Sequence, residues 1–242
     1  ANIYLFLFLP AALRCYQAVH NEKRWIVLLG FSYLFFFMIS KKLIVFLLGT
    51  TVLIHYIGVC LSCLKQRCRH ELDQAEKMRE TCAQEPEQPV QIDKRELKKQ
   101  IKNKYKKRER AVLIIGILLL LSVLVYLKYY NFFVENVNLL VKASGGEAVL
   151  AAKKILLPIG ISFYTLQAIG YMADVYWEKI QAEMHLGKLA LFLGFFPQIM
   201  EGPICSYSDT ADALWKGEGL TGSNMAAGYM RIFWGLFKKI VI

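Results

Sequence analysis

The groups best suited to chemistry stand in an apolar stretch near residue 200. Residues 193–207 read LGFFPQIMEGPICSY, an apolar run interrupted by Pro197, Gln198, Glu201, Gly202 and Pro203. If this run lies in a membrane, its carboxylate is costly there and is a default candidate for function. Glu201 is therefore the first candidate residue. The alternative is a carboxylate at the membrane interface, in contact with water.

A second set of polar residues lies in the apolar segment Ile155–Tyr176. Gly160, Tyr164, Gln167, Tyr171 and Asp174 follow one another at intervals of four, three, four and three residues. These intervals place them on one face of a helix. Phenol, amide and carboxylate groups on such a face must contact other helices or water, because they are costly in lipid. The pattern therefore predicts an internal cavity or hydrogen bonds between helices, and it leaves both interpretations of Gln167 open.

Two further residues resemble parts of catalytic sites. His55, alone in an apolar block, could serve as a general base, although a histidine that only packs is the more frequent case. Ser162 stands in GISFY, which begins like the nucleophile motif G-x-S-x-G but has Tyr164 where the second glycine belongs. We assign Ser162 a structural role and keep His55 as a secondary candidate.

The cysteines do not form a recognisable metal site. Six cysteines occur in the chain, and Cys60, Cys63, Cys68 and His70 are close enough in sequence to suggest zinc. Cys60 and Cys63 fall at the end of an apolar block, and the spacing lacks a matching second pair of ligands. We expect no resident metal ion and no bound cofactor.

Long apolar blocks must position these residues. The chain has 242 residues, of which 56% are hydrophobic, and a bilayer core of about 30 Å needs roughly 20 helical residues to cross it. Three blocks approach or meet that length, and two are shorter: Leu43–Leu64, Ala111–Tyr130, Ile155–Tyr176, Ile3–Leu13 and Trp25–Ile39. The pattern predicts an all-α fold, a polytopic transmembrane helical bundle.

A charged segment divides the apolar blocks. Residues 65–110 contain fifteen Lys or Arg and nine Asp or Glu, and they end in the helix-forming stretch KRELKKQIKNKYKKRER. Because positive charge marks the cytoplasmic side, we predict a basic cytoplasmic loop in a multi-pass protein of the cytoplasmic membrane. This loop separates N-terminal transmembrane helices in residues 1–64 from core helices in residues 111–242.

The charge of this loop favours membrane lipid over nucleic acid as its partner. The acidic residues are interspersed among the basic ones, and Tyr105 is the one aromatic residue in the segment, so a base-stacking pattern is missing. Anionic headgroups attract basic residues by roughly 1 kcal/mol each. We therefore expect contact with membrane lipid and no nucleic-acid binding.

The run that contains Glu201 is too short to cross a membrane. The apolar residues 189–196 span about 12 Å as a helix, and Pro197 then removes a backbone donor and clashes with the preceding turn. Irregular backbone at membrane depth is tolerated only where protein or a water-filled cavity satisfies its polar groups. We predict a re-entrant or kinked segment that breaks at Pro197.

Several of these segments resemble a known family. LLPIGISFYTLQAIGYMADVYW, FFPQIMEGPICSY and GLFKKIVI occur in this order, together with IYLFLFLP and LKYYNFFVENVN. They resemble the membrane-bound O-acyltransferase superfamily, in particular its bacterial alginate O-acetyltransferase-like branch. The resemblance implies transfer of an acyl group, most simply acetyl, from cytoplasmic acyl-coenzyme A or an acyl-carrier protein. The acceptors would be hydroxyls of an extracellular polysaccharide or cell-wall polymer, reached with an extracytoplasmic acyltransferase partner.

The resemblance also implies a catalytic histidine in a Trp-His pair of a later segment. No histidine of this chain stands in a matching context, so we expect it beyond Ile242 and expect residues 1–242 alone to be inactive. Their contribution would be a substrate passage formed by Tyr164, Gln167, Tyr171, Pro197, Gln198, Glu201, Gly202 and Pro203.

Two departures from the family pattern and two other functions bear on this prediction. Ser206 stands where relatives usually have a basic residue, and Glu201 stands where a small or amide residue is more familiar. A membrane transporter also uses broken helices, but the chain lacks a recognisable inverted repeat. A noncatalytic membrane scaffold for a polysaccharide-modifying complex is the other alternative.

Overall fold

The computed structural model describes residues 7–41, 44–82, 94–144, 160–199, 202 and 204–241, and these residues contain helices and no strand. The helices are α1 (Leu9–Ala18), a short 3-10 helix (Asn21–Lys23), α2 (Arg24–Ser40), α3 (Ile44–Cys82), α4 (Lys94–Ala143), α5 (Ile161–Tyr176), α6 (Leu186–Gly194), α7 (Phe196–Ile199), α8 (Tyr207–Trp215) and α9 (Gly222–Val241).

Three helical segments are long and apolar enough to cross a membrane. They are Asn21–Ser40, Ile44–Lys77 and Arg95–Ala143, and their most apolar stretches have mean hydropathies of 1.4, 2.2 and 2.7. Large apolar side chains such as Leu118 and Val45 are 60% and 67% exposed, and a contiguous exposed apolar surface of this kind marks contact with lipid or another protein. The prediction of an all-α membrane protein is confirmed.

Helices α3 and α4 continue well beyond the predicted spans into the basic segment. The described residues of the predicted basic loop, 65–110, are helical: α3 runs on to Cys82 and α4 begins at Lys94. The two helices pair through Glu76 with Lys98 and through Glu71 with Lys104. We call residues 65–82 and 94–110 the α3–α4 stem.

Helical spacing of apolar residues explains why the stem is ordered. Leu97, Ile101 and Tyr105 recur at every fourth position of α4, and Ile101 and Tyr105 are buried. Residues four apart lie on the same helical face, so this stripe packs inward while the basic residues remain in solvent. The high charge of the segment favours exposure to solvent. The segment is nevertheless helical, because its apolar stripe packs inward.

Two clusters of buried side chains hold the helices together. The first joins α3, α4, α5, α6 and α8 around Tyr171, Phe192 and Tyr207. The second joins α2, α3, α4, α5 and α7 and includes Tyr164 and Phe196. Since α5 contributes to both clusters, its predicted polar face is turned toward other helices.

A break between α6 and α7 interrupts the apolar run before residue 200. Helix α6 ends at Gly194, Phe195 is not helical, and α7 starts at Phe196. We predicted the break at Pro197. It falls two residues earlier, at Phe195. A proline cannot donate to the carbonyl of residue i−4, here Leu193, and its ring clashes with that carbonyl. The helix must end before Pro197, which is then accommodated in the first turn of α7.

Candidate functional site

The break between α6 and α7 interrupts the backbone hydrogen bond from Phe196 to Phe192, and side chains from neighbouring helices bind both of its groups. In an unbroken helix, the carbonyl of Phe192 would accept a hydrogen bond from the N–H of Phe196. Here Gln167 Nε2 of α5 donates to Phe192 O at 3.1 Å. The N–H of Phe196 donates to Ser32 Oγ of α2 at 3.3 Å. Gln167 and Ser32 thus replace the missing backbone hydrogen bond.

This replacement explains how an interrupted helix persists among apolar side chains. Gln167 is 5% exposed and Ser32 is fully buried, and Ser32 Oγ also donates to Leu28 O of its own helix at 2.6 Å. Irregular backbone at membrane depth is tolerated where protein satisfies its polar groups. Gln167 therefore forms an interhelical hydrogen bond, one of the two roles that its spacing predicted, and its contact with a substrate stays a prediction.

Glycine is required where the start of α5 meets α7. Gly160 has φ +75°, and a Cβ atom built on it would lie 1.9 Å from Ile199 O. Gly202 is equally confined, since its Cβ would lie 2.5 Å from Cα of Gln198, while its N–H donates to Gln198 O at 2.9 Å. The two glycines allow the backbone after α7 to turn tightly and to pack against α5.

Two buried polar atoms beside the break lack hydrogen-bond partners. The hydroxyl of Tyr164 and Oε1 of Gln198 are inaccessible to solvent and unpaired. Thr50 of α3 lies near the Tyr164 hydroxyl, and the Thr50 hydroxyl donates to Phe46 O at 2.7 Å. Gln198 Nε2 donates to Cys205 Sγ at 3.4 Å. Since most buried polar groups are paired, these two unpaired atoms beside the break are exceptions.

Tyr171 belongs to a second polar network on the same face of α5. Its hydroxyl accepts the N–H of Glu183 at 2.8 Å, and Tyr207 donates its hydroxyl to Glu183 Oε2 at 2.7 Å. Burial and the Glu183 carboxylate raise the pKa of Tyr207 above its usual value, so the phenol stays protonated as a donor. This network fixes the connection between α5 and α6 against α8.

The remaining predicted residues take simpler places. Pro197 is exposed on α7, and Glu201 and Pro203 lie outside the described residues. Asp174 is half-buried and pairs with Lys179 at 3.4 Å. The secondary candidate His55 is half-buried in α3, and its Nδ1 is unpaired.

Three residues of the site were not predicted from the sequence. Ser32 is the one serine of the apolar segment Trp25–Ile39, and that isolation was a usable signal. Glu183 and Tyr207 lie in polar stretches that resemble ordinary loops, and they are 24 residues apart. Their pairing depends on tertiary contacts, so the sequence pattern could not indicate it.

Known proteins that are similar to this chain are named as O-acetylases or O-acetyltransferases. A probable alginate O-acetylase of Pseudomonas aeruginosa is 30% identical over 242 residues, which are 100% of this chain and 39% of that protein. The probable alginate O-acetylase of Azotobacter vinelandii is 29% identical over 100% of the chain and 40% of its own length. A peptidoglycan O-acetyltransferase of Helicobacter pylori is 32% identical over 166 residues, which cover 58% of this chain and 30% of that protein.

No protein-family model matches the chain, and no solved structure matches it significantly. The chain spans about two fifths of the length of the alginate O-acetylases that it matches. The fold and the polar site are those of a helical membrane protein in which side chains of neighbouring helices bind the backbone at the break between α6 and α7. Over its whole length the chain is similar to O-acetylases, and this similarity indicates the membrane-bound O-acyltransferase-like family of O-acetyltransferases.

Proposed function

We propose that residues 1–242 form part of an O-acetyltransferase that acts on the hydroxyls of an extracellular or cell-wall polysaccharide. The relatives named alginate O-acetylase and peptidoglycan O-acetyltransferase support the reaction class and the kind of acceptor. The single structural observation that carries the proposal is the α6–α7 break, which places unpaired polar atoms of Tyr164 and Gln198 beside irregular backbone.

The donor in this proposal is a thioester presented at the cytoplasmic side, either acetyl-coenzyme A or an acylated carrier protein. During transfer, the C–S bond of the thioester breaks and a C–O bond to the acceptor forms, while the hydroxyl proton passes to the departing thiol. A histidine would assist this proton transfer. In a protein as long as these relatives, the histidine that the family resemblance implies would lie outside residues 1–242.

The residues of this chain would form the passage that brings the two substrates together. Tyr164 and Gln198 offer polar atoms to the acyl carbonyl or the acceptor hydroxyl, and Gln167 supports the backbone between them. Tyr171 fixes the connection between α5 and α6. For Pro197, Gly202 and Pro203, the proposed role is to shape the wall of the passage, and Glu201 remains the ionisable candidate within it.

The location and partner complete the proposal. We infer a multi-pass protein of the cytoplasmic membrane with the α3–α4 stem in the cytoplasm, because basic segments stay on that side. In this proposal, an extracytoplasmic acyltransferase partner works with the protein in delivering the acetyl group to the polymer. These inferences rest on the charge of residues 65–110 and on the family resemblance.

The hydroxyl of Tyr164 provides the sharpest test. In the full-length protein, Tyr164→Phe removes an unpaired hydroxyl, and we expect acetylation of the polymer to fall at least about tenfold, as for the loss of one positioned polar group. Tyr126→Phe is the control, because it removes the same hydroxyl from a tyrosine that is 54% exposed on α4. Equal acetylation by both variants at equal expression would remove Tyr164 from the site.

Glu201→Gln tests the remaining candidate in the same assay. Undiminished acetylation would remove Glu201 from the passage and leave the proposed reaction standing. If the wild-type protein transfers no acetyl group, the transporter and scaffold alternatives take its place. Uptake of labelled substrate into vesicles distinguishes these two, since only a transporter accumulates it.

A further inference from the structure

A basic cleft lies where the α3–α4 stem meets the end of α5. It has a volume of about 580 Å³, and its charged lining residues are Lys65 and Arg69 of α3, Lys102, Lys106 and Glu109 of α4, and Glu178 after α5. Neither the break between α6 and α7 nor the proposed passage includes any of these residues. We refer to this feature as the basic cleft.

The cleft has an excess of positive charge that its own carboxylates do not neutralise. Four cations face two carboxylates, and Glu178 already pairs with Lys65 at 3.5 Å and with Arg69 at 3.4 Å. Lys102 and Lys106 are exposed and form no ion pair within the described residues. Burial raises the pKa of Glu109. Two cations therefore remain available for an anionic ligand.

The inner wall of the cleft is fixed by hydrogen bonds. Lys65 Nζ donates to Val175 O at 2.8 Å and to Tyr176 O at 2.9 Å, at the carboxyl end of α5. The Lys65 side chain is only 11% exposed, and a cation at a helix C-terminus is favourable. Lys65 therefore holds α5 against α3, so the shape of the cleft exists before a ligand binds.

The cleft lies at the depth of lipid headgroups. On α3, Lys65 directly follows the apolar residues 44–64, and on α4, Lys106 stands five residues before Ala111, where the apolar part begins. Trp177, which also lines the cleft, is 63% exposed, as is common for tryptophan at a membrane interface. Beyond the cleft, α4 exposes Ile114 and Leu118.

We propose that the basic cleft binds the phosphate headgroup of an anionic phospholipid. Lys102 and Lys106 contact the phosphate, and the acyl chains follow the exposed apolar side chains of α4. A soluble phosphate compound would use the same cations but would leave those apolar side chains uncovered. Both charge and position therefore favour a lipid.

The test measures binding rather than acyl transfer. The full-length protein, stripped of lipid in a neutral detergent, is titrated with phosphatidylglycerol and with phosphatidylcholine while native mass spectrometry counts bound lipid. At roughly 1 kcal/mol per basic residue near an anionic surface, two lysines give about tenfold or more tighter binding of phosphatidylglycerol. We expect this preference in the wild-type protein.

Two double variants of α4 make the test specific for the cleft. Lys102→Ala with Lys106→Ala should abolish the preference, whereas Lys99→Ala with Lys107→Ala should preserve it with the same loss of charge. Lys99 and Lys107 are exposed on the same helix and do not line the cleft. Lys102→Arg with Lys106→Arg should retain binding, and thermal unfolding of each variant verifies folding.

Three results would overturn the proposal. If both alanine variants lose the preference for phosphatidylglycerol equally, the stem attracts anionic lipid through its overall charge and not through the basic cleft. If the wild-type protein binds phosphatidylglycerol and phosphatidylcholine equally, it has no site for an anionic lipid. Displacement of phosphatidylglycerol by adenosine 3′,5′-bisphosphate at matched concentration would identify a soluble phosphate compound as the ligand.

Discussion

Individual polar side chains make the interruption of α6 and α7 possible. Gln167 and Ser32 bind the carbonyl of Phe192 and the N–H of Phe196, whose mutual hydrogen bond the break interrupts, so residues of two other helices replace that bond. A hydrogen bond of this kind contributes modestly to the free energy of unfolding. Its loss, however, leaves a buried polar group without a partner, which costs about 1–3 kcal/mol. The same side chains therefore determine whether the break is stable.

We expect Gln167→Leu to destabilise the protein by about 1–3 kcal/mol, because Phe192 O then lacks a partner in a buried environment. Thermal unfolding of the purified protein in detergent measures the change. Gln66→Leu is the control, since Gln66 is exposed on α3 and should have little effect. A Gln167→Leu variant as stable as the control would show that the backbone finds another partner.

Glu109 should make stability depend on pH. Its pKa is raised, chiefly by burial and also by Glu178, against the opposing effects of Lys65 and Lys106. A raised carboxyl pKa favours folding below the unfolded value of 4.5, and this advantage is lost as the pH rises through the folded pKa. Glu109→Gln removes the ionisation, so we expect it to be more stable than the wild type at pH 8.

At pH 3 the difference between Glu109→Gln and the wild type should shrink, because this pH lies below the unfolded pKa of 4.5 and Glu109 is largely protonated in both the folded and unfolded chain. The effect should remain below about 1 kcal/mol, since the side chain is partly exposed and screened by solvent. Melting temperatures at both pH values measure it, with Glu96→Gln on the exposed face of α4 as the control. A destabilisation of equal size at both pH values would contradict this explanation.

At the scale of elements, the contact between α5 and α7 depends on the absence of a side chain. Gly160 combines a left-handed conformation with close approach to Ile199 O. Helix α5 can start where it does because Gly160 accepts both constraints. The polar residues of α5 are therefore positioned by a glycine that has no chemical role of its own.

Gly160→Ala should destabilise the protein by at least about 1–3 kcal/mol, the range for strained backbone conformations, with the clash adding to it. Gly170→Ala in the same helix is the matched control, because a Cβ there meets nothing within 4 Å. Alanine favours a helix interior over glycine by up to about 1 kcal/mol, so this control should be neutral or stabilising. Comparable melting temperatures for the two variants would be inconsistent with the packing.

Some of these elements could be predicted from the sequence, and others could not. The hydropathy of the sequence was enough to predict an all-α membrane protein. The spacing of polar residues was enough to predict the polar face of α5, because both features depend on local patterns. The pairing of Gln167 with Phe192 joins residues 25 positions apart, and local patterns do not determine such contacts. The break lies two residues before the predicted position, because Pro197 affects the carbonyl four residues earlier and the helix therefore ends before the proline itself.

At the scale of the molecule, exposed apolar side chains define the surface that meets the membrane. They occur on α2, α3, α4 and α9, with Phe37, Val45, Leu118 and Phe233 each more than half exposed. Since lipid is as apolar as these side chains, this surface needs no further cover in a bilayer. Substitutions there should affect insertion into the membrane more than the packing of the helices.

Leu118→Arg should reduce stable insertion, because a central arginine costs about 2.5–3.5 kcal/mol on an insertion scale. The fraction of protein that resists alkaline extraction from membranes measures the effect. Ala111→Arg is the control, since a long basic side chain at the end of a span can extend to the interface. Complete retention of Leu118→Arg would mean that this position faces protein or water.

The continuity of α3 has a mechanical consequence. Its 39 residues extend for about 58 Å as a straight helix, with no interruption between the apolar part and the stem. The helix is attached to the end of α5 near Lys65 by hydrogen bonds. Because α3 is continuous, a force that tilts its stem part in water should be transmitted to its apolar part inside the bilayer.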